Sequence, residues 1–361
     1  MGFAAKYRRE DGGRHRGGRW RRAALAVLIT GAVVFPLSAA GRPEIPAPAP
    51  ASLAPLSVST LDEAYAANRA NAAEAARMAA AHQDRDRAAT DRALAAPARR
   101  LLGFDGRGSG RLTEVLGDLA RADRIAVLVP GSDTSLDTYG RFHAAATALY
   151  GQLVRQAPAG TRTAVVAWLG YETPGTVSAT VTTTGRAEQA APRLRALVTD
   201  LRALGRVRKV PPAPRRQGPP SGRATGLSGH APAGGGPRIS LLCHSYGSVV
   251  CGRAAAGLAV DDIALVGSPG TGADSAAALH TRARVWAARG GDDWVENIPH
   301  LSADLFGTTV GFGTDPVSPA FGARVFAAGD GGHSDYFRPG STSLTNLARI
   351  VLGETKAVTH D

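Results

Sequence analysis

Leu241-Leu242-Cys243-His244-Ser245-Tyr246-Gly247-Ser248-Val249-Val250 is the stretch from which the rest of the chain is best read. The apolar run 239–242 leads straight into His-Ser-Tyr-Gly, and a small-residue helical pattern, Val249 to Gly257, follows with almost no loop between. That succession predicts a strand, a very tight turn and a helix, with a serine at the apex. Such a turn strains the serine backbone and lifts its Oγ clear of the sheet, toward the start of the helix. Gly247 and Ser248 are small enough for the cramped crossing this requires. A serine in this place also serves as an ordinary helix cap. The pattern G-x-S-x-G is met only in part, since Cys243 stands where the first glycine is usual. Partners elsewhere in the chain decide between the two readings.

Outward from the stretch, apolar runs alternate with helical patterns. Upstream, 112–116 reads as a strand, and so does 124–129 (RIAVLV), whose unbroken apolar run suits a strand buried on both faces. It empties into Pro130-Gly131-Ser132-Asp133-Thr134. A helix over 138–156, a strand over 163–168 and a helix over 186–204 follow. Downstream, the strand 263–266 ends in Gly267-Ser268-Pro269-Gly270, and the strand 284–288 runs into Asp292-Asp293-Trp294-Val295. The strand 323–327 runs into Gly329-Asp330-Gly331-Gly332-His333, and a helix over 343–352 closes the pattern. The fold class is therefore α/β, a mostly parallel central sheet with helices on both faces. Ligands of such sheets lie outside the carboxyl ends of the strands.

A serine hydroxyl needs a base to take its proton and a carboxylate to orient that base. After Ser245, the next-but-one strand is followed by Asp292-Asp293 and the strand after that by His333. Ser, Asp, His, each beyond its own strand, is the order of α/β-hydrolases. His333 is the candidate base because it follows a strand directly on a glycine-rich loop; His280 precedes a strand and His360 lies in the C-terminal tail. Asp293, two residues before Val295, is the first choice of acid, with Asp292 and Asp315 as alternatives. The oxyanion of an acyl-transfer transition state needs two backbone donors. The amide of Tyr246 is one candidate; the other is Ser132, where Gly131 lets the backbone approach. Leu301, Leu305, Phe306 and Phe312 are candidates for an acyl pocket, or simply pack. His333 and Asp335 alone do not make a zinc site, and no lysine follows the glycine loops, so neither metal nor cofactor is expected.

Phe104-Asp105-Gly106, Gly110-Arg111, Gly117-Asp118, Val127-Leu128-Val129-Pro130-Gly131, His244-Ser245-Tyr246-Gly247-Ser248 and Gly267-Ser268-Pro269-Gly270 together resemble an actinobacterial α/β-hydrolase family of unknown function. Gly313-Thr314-Asp315-Pro316 and His333-Ser334-Asp335-Tyr336 extend the likeness, which covers roughly residues 100–355. The resemblance implies the hydrolase fold and a nucleophile at Ser245, and no substrate.

The remaining features bound the setting. Residues 1–22 carry a surplus of six positive charges and residues 206–237 another six, which together equal the formal net charge of +12. The basicity thus belongs to a tail and an insertion rather than to a folded surface, and no nucleic-acid partner is expected. Residues 23–40 are uncharged and end in Ser38-Ala39-Ala40. With the basic lead, segment 1–40 reads as a signal peptide or a transmembrane anchor, so the product is exported or held at the membrane. Residues 41–57 read as a Pro/Ala linker and 58–100 as one long Ala-rich helix from about Leu61 to Ala96, ahead of a hydrolase domain over 101–355 with an uncored insertion at 206–237. Cys243 and Cys251 read as small core residues in preference to a bonded pair. The function these features predict is an exported or membrane-anchored serine hydrolase acting on a small or lipid-like acyl substrate. An envelope acyltransferase with the same triad, or an inactive scaffold that binds a partner, is the alternative.

Overall fold

The computed structural model describes residues 46–176, 183–207, 236–297, 302–305 and 308–360. The expected signal or anchor at 1–40, the first part of the 41–57 linker and most of the 206–237 insertion lie outside them. Among the described residues no helix is long and apolar enough to cross a membrane.

The chain opens with a correction. The single helix expected from Leu61 to Ala96 is a pair, α1 (Leu61–Ala81) and α2 (Arg85–Leu94), packed on each other. Gln83 at φ 62° breaks the first helix, and Asp84 starts the second by accepting a hydrogen bond from the Arg87 amide at 2.9 Å. The alanines at 64, 72, 75, 76 and 79 are buried, which lets α1 sit close on a strand absent from the sequence reading, β1 (Leu101–Asp105). Asn68 Nδ2 donates to the Leu101 carbonyl at 3.1 Å. The buried Arg87 reaches the Gly106 carbonyl, Asp137 at 3.2 Å and Asp91 at 3.4 Å. Burial pushes the Asp91 carboxyl up to about 6, against the pull of the Arg87 guanidinium.

The central sheet runs β1-β2-β4-β3-β5-β6-β7-β10, where β2 is Arg111–Gly117, β3 Arg124–Val129, β4 Thr163–Leu169, β5 Arg238–His244, β6 Asp262–Val266, β7 Arg284–Ala288 and β10 Arg324–Val325. The strands β8 (Ser302–Leu305) and β9 (Thr308–Gly311) form a separate hairpin. β2 pairs antiparallel with β1 and β4, and every other neighbour in the large sheet is parallel. Alternation explains both faces. Ile125, Val127, Val129, Leu241, Ile263 and Leu265 face one core, with α4 (Gly185–Val207) and α5 (Gly247–Ala254) over it. Ala126, Leu128, Leu242, Ala264 and Val266 face the other, under α3 (Tyr139–Gln156) and α6 (Thr342–Leu352). Each fully buried aliphatic side chain contributes roughly 1.5–3 kcal/mol relative to exposure. The expected last strand, 323–327, shrinks to Arg324–Val325, and its continuation turns into the glycine loop before His333.

The two cysteines are a second correction. Cys243 and Cys251 are both fully buried and are joined by a disulfide across a Cα–Cα separation of 6.4 Å. The turn at Ser245 is tight enough to fold α5 back along β5, so a residue two before the apex meets one in the second helical turn. Spacing along the chain does not show this. Replacing both cysteines by alanine is expected to lower stability by roughly 2–3 kcal/mol, the loop-closure value for so short a ring. Urea unfolding measures it, with the reductant sensitivity of the wild-type midpoint disappearing in the double variant.

Candidate active site

Ser245 sits on the end of the central strand β5 with φ +54°, a left-handed conformation that an L-residue holds at a cost of roughly 1–3 kcal/mol. Its amide donates to the Val266 carbonyl at 3.0 Å, tying the apex to the neighbouring strand. Tyr246, not Ser245, occupies the cap position of α5, so the serine hydroxyl is left for another partner. That partner is His333: its Nε2 lies 2.9 Å from Ser245 Oγ. His333 Nδ1 lies 2.9 Å from Asp293 Oδ1 and 3.1 Å from Oδ2. The structure thus brings together Ser245, His333 and Asp293 from the ends of three separate strands.

The other two candidate acids lie elsewhere. Asp292 is exposed, and Asp315 pairs with Arg289 and accepts from the Val317 amide at 3.1 Å. Asp293 is 2 % exposed and its oxygens are fully used: Oδ1 also accepts from the Val295 amide at 2.9 Å, and Oδ2 accepts from the Tyr336 hydroxyl. Burial alone would push this carboxyl up; the hydrogen bonds from His333, Tyr336 and Val295 outweigh it and hold the pKa below the usual carboxylate value. Tyr336 in turn accepts from the Gly290 amide at 3.0 Å, so the loop after β7 is clamped by the loop that carries the histidine. Asp335 stays within its own loop, accepting from the Gly332 amide at 2.9 Å.

Two glycines make the convergence sterically possible. A Cβ on Gly131 would lie 2.6 Å from Ser245 Cβ and 3.1 Å from its Oγ. A Cβ on Gly267, which has φ +55°, would lie 2.8 Å from Asp293 Oδ2 and 3.1 Å from His333 Nδ1. Gly131 thus lets its loop approach the nucleophile closely, and Ser132 lines the same cavity as Ser245. Among the described residues, the amides of Ser132 and Tyr246 donate to no acceptor in the protein. The loop is itself held by the Tyr171 hydroxyl, which donates to the Pro130 carbonyl at 2.6 Å, while the Tyr246 hydroxyl donates to the Thr183 carbonyl at 2.7 Å, just before α4.

His244, the residue before the nucleophile, is tied to the base. Its Nε2–H donates to the His333 carbonyl at 2.7 Å, and the two rings lie 4.8 Å apart. Burial first, then the neighbouring His333, push its pKa down to about 4, so it is a neutral donor near pH 7. Trp294, half exposed, covers the outer side of His333 at 4.7 Å. Neither contact was readable from the chain, because each depends on where two loops cross.

These groups open on a cavity of about 680 Å³. Leu128, Phe142, Ala145, Phe312 and Phe337 supply much of its wall, with Gly131, Ser132, Tyr246 and the Ser245–His333 pair at one side. Of the apolar residues expected there, Phe312 lines the cavity; Leu301 and Phe306 lie outside the described residues. The volume is that of an ordinary small-molecule site.

Among solved structures, the fold resembles a serine hydrolase without a lid from Xanthomonas campestris, at 14% identity and a TM-score of 0.38, covering 72% of this chain and 95% of that one. A predicted CIB-like hydrolase from Thermoplasma acidophilum matches at 13% identity and a TM-score of 0.39, covering 71% and 96%. Uncharacterized proteins from two strains of Mycobacterium tuberculosis are 30% identical over 280 residues. The match takes in 70% of this chain, which spans only 39% of their length. The profile of the family described as alpha/beta hydrolase matches residues 105–210 and 224–303, just over half of the sequence. The chain belongs to the alpha/beta hydrolase family.

Proposed function

We propose that this protein is a serine hydrolase that cleaves an acyl ester, with Ser245 as nucleophile, His333 as base and Asp293 as the orienting acid. The observation that carries the reading is the unbroken chain of contacts from Ser245 Oγ to His333 Nε2, and from His333 Nδ1 to Asp293. Ser245 Oγ attacks the ester carbonyl as its proton passes to His333 Nε2. The resulting oxyanion lies between the amides of Tyr246 and Ser132. On collapse the carbon–alkoxide bond breaks, and His333 returns its proton to the departing alcohol. Water, deprotonated in the same way, then releases the carboxylic acid and restores Ser245. Asp293 remains ionised throughout and stabilises the imidazolium that forms twice.

Export, with segment 1–40 as a signal peptide or membrane anchor, is part of the same proposal. The buried disulfide supports it, since such bonds persist mainly in oxidising compartments. N-terminal sequencing of the mature protein distinguishes the forms: a start near Gly41 means cleavage, a start at Met1 means an anchor.

A fluorophosphonate probe is expected to label the wild-type protein and not Ser245→Ala; wild-type protein that stays unlabelled would sink the hydrolase reading. Asp293→Asn should lower kcat on a p-nitrophenyl ester by on the order of 10³–10⁴, since it disturbs the histidine tautomer. Asp315→Asn should cost far less, because its partner is Arg289.

Tyr336→Phe removes one of the bonds that hold Asp293 ionised, so the Asp293 pKa rises. A carboxylate with a depressed pKa keeps its charge down to low pH. Raising that pKa therefore moves the acid limb of the kcat profile toward higher pH, with kcat near neutrality reduced less than in Asp293→Asn. An unmoved acid limb would remove Tyr336 from the machinery.

A further inference from the structure

The cavity wall carries a charge that the proposed chemistry does not use. On α3, the residues facing the cavity are Thr138, Arg141, Phe142, Ala144 and Ala145. Positions 138, 141, 142 and 145 follow the i, i+3, i+4, i+7 spacing of one helix face. A helix lining an apolar cavity would ordinarily place an apolar or small residue at each of them. Position 141 instead holds an exposed arginine, beside the buried face of Phe142, Leu149 and Leu153.

The surrounding acids do not neutralise it. Among the described residues Asp133 is the one carboxylate in the wall, and its oxygens accept from the Thr176 amide at 3.1 and 3.2 Å and from the Thr176 hydroxyl. Asp137, one helical turn before Arg141, is paired with the buried Arg87. Among the described residues the Arg141 guanidinium has no ion-pair or hydrogen-bond partner. The contrast with the rest of the fold is sharp. Arg99 and His143 converge on Glu114, Arg238 and Arg284 on Asp262, and Arg107 and Arg111 on Asp105. Where this chain half-buries an arginine for structure, it supplies a carboxylate or, as for Arg124 and Arg195, backbone carbonyls.

Resting on the hydrolase reading above, we infer that the substrate is an acyl ester that also carries an oxyanionic group, a carboxylate or a phosphate, which pairs with Arg141. Its apolar chain lies against Phe142, Ala145, Phe312 and Phe337 while the ester carbonyl reaches Ser245. A guanidinium offers two parallel N–H donors matched to the oxygens of either anion, and beside a low-dielectric wall that pairing exceeds its value in open water. A neutral ester of the same length would fill the same wall and leave the arginine with water alone.

The test compares p-nitrophenyl octanoate with the p-nitrophenyl monoester of octanedioic acid and with 4-carboxyphenyl octanoate, which place a carboxylate on the acyl side and on the leaving group. One of the charged esters is expected to exceed the neutral one in kcat/KM by about five- to tenfold at low salt, through KM, and to lose that lead as salt rises. Arg141→Gln should bring the charged-to-neutral ratio to about one, Arg141→Glu should invert it, and Arg141→Lys should keep part of it. Calorimetry of Ser245→Ala with octanoate, monooctyl phosphate and octanol gives a reading that needs no turnover and separates carboxylate from phosphate. A ratio near one in the wild type, or a ratio unchanged in Arg141→Gln, overturns the inference. If the fluorophosphonate probe still labels Ser245 in that case, the hydrolase reading stands and only the anionic substrate falls.

Discussion

The left-handed backbone of Ser245 is the constraint to which the neighbouring structure is fitted. An L-residue at φ +54° stays there only if its surroundings make every alternative worse. The amide bond to Val266 holds the apex from the β6 side, and the Cys243–Cys251 disulfide holds α5 from the core side. On the β3 side, Gly247 and Gly131 allow backbone contact that any side chain would block. Each restraint is short-range, and together they fix Oγ to within the tolerance of a hydrogen bond to His333. The strain is thus carried by packing on a strand buried on both faces, where little room remains for relaxation.

The histidine side of the site is restrained differently. His333 rides on a loop rich in glycine, which has no regular hydrogen-bond ladder to define it. Its position comes from side chains that reach across: His244 to its carbonyl, Asp293 to its Nδ1, and Tyr336 from its own loop back to Asp293. Tyr336 and His244 therefore make the loop answer to β5 and β7 rather than to itself. A neutral His244 matters here, because a second imidazolium 4.8 Å away would oppose the charge that His333 takes up during reaction. Burial keeps that competition away until the pH falls to about 4.

Much of this could be read from the chain. Unbroken apolar runs marked the parallel strands, and the order of Ser245, Asp293 and His333 beyond successive strands singled out the residues that meet. Periodicity works there because each element lies in one repeating environment. It failed where a contact depends on the turn between elements. The break at Gln83 is one left-handed residue inside an Ala-rich run that favours helix throughout. β1 is a five-residue strand whose glycine, Gly103, interrupts alternation at a shift of register. The disulfide follows from how far the Ser245 turn folds α5 back, which eight residues of spacing do not reveal. The spacing to Val295 favours Asp293 over its neighbour Asp292, and the backbone path after β7 buries the first and exposes the second.

Charge placement makes the last distinction between scaffold and site. Several of the arginines that hold this fold together converge on buried carboxylates, and the pairs belong together: removing the arginine leaves a buried carboxylate uncompensated. Glu114 shows the logic. Burial raises its pKa, yet His143, Arg99 and Tyr139 lower it further, so the group stays ionised and its partners stay fixed. Arg141 follows the opposite rule, with a solvated guanidinium at the rim of an apolar cavity and, among the described residues, no carboxylate set against it. Stability gains nothing from such a group, and desolvation by a neutral occupant would cost something. An occupant that brings its own negative charge turns the same arginine from a liability into a point of recognition. The unpaired charge is therefore informative about the ligand in a way that the paired charges, however buried, are not.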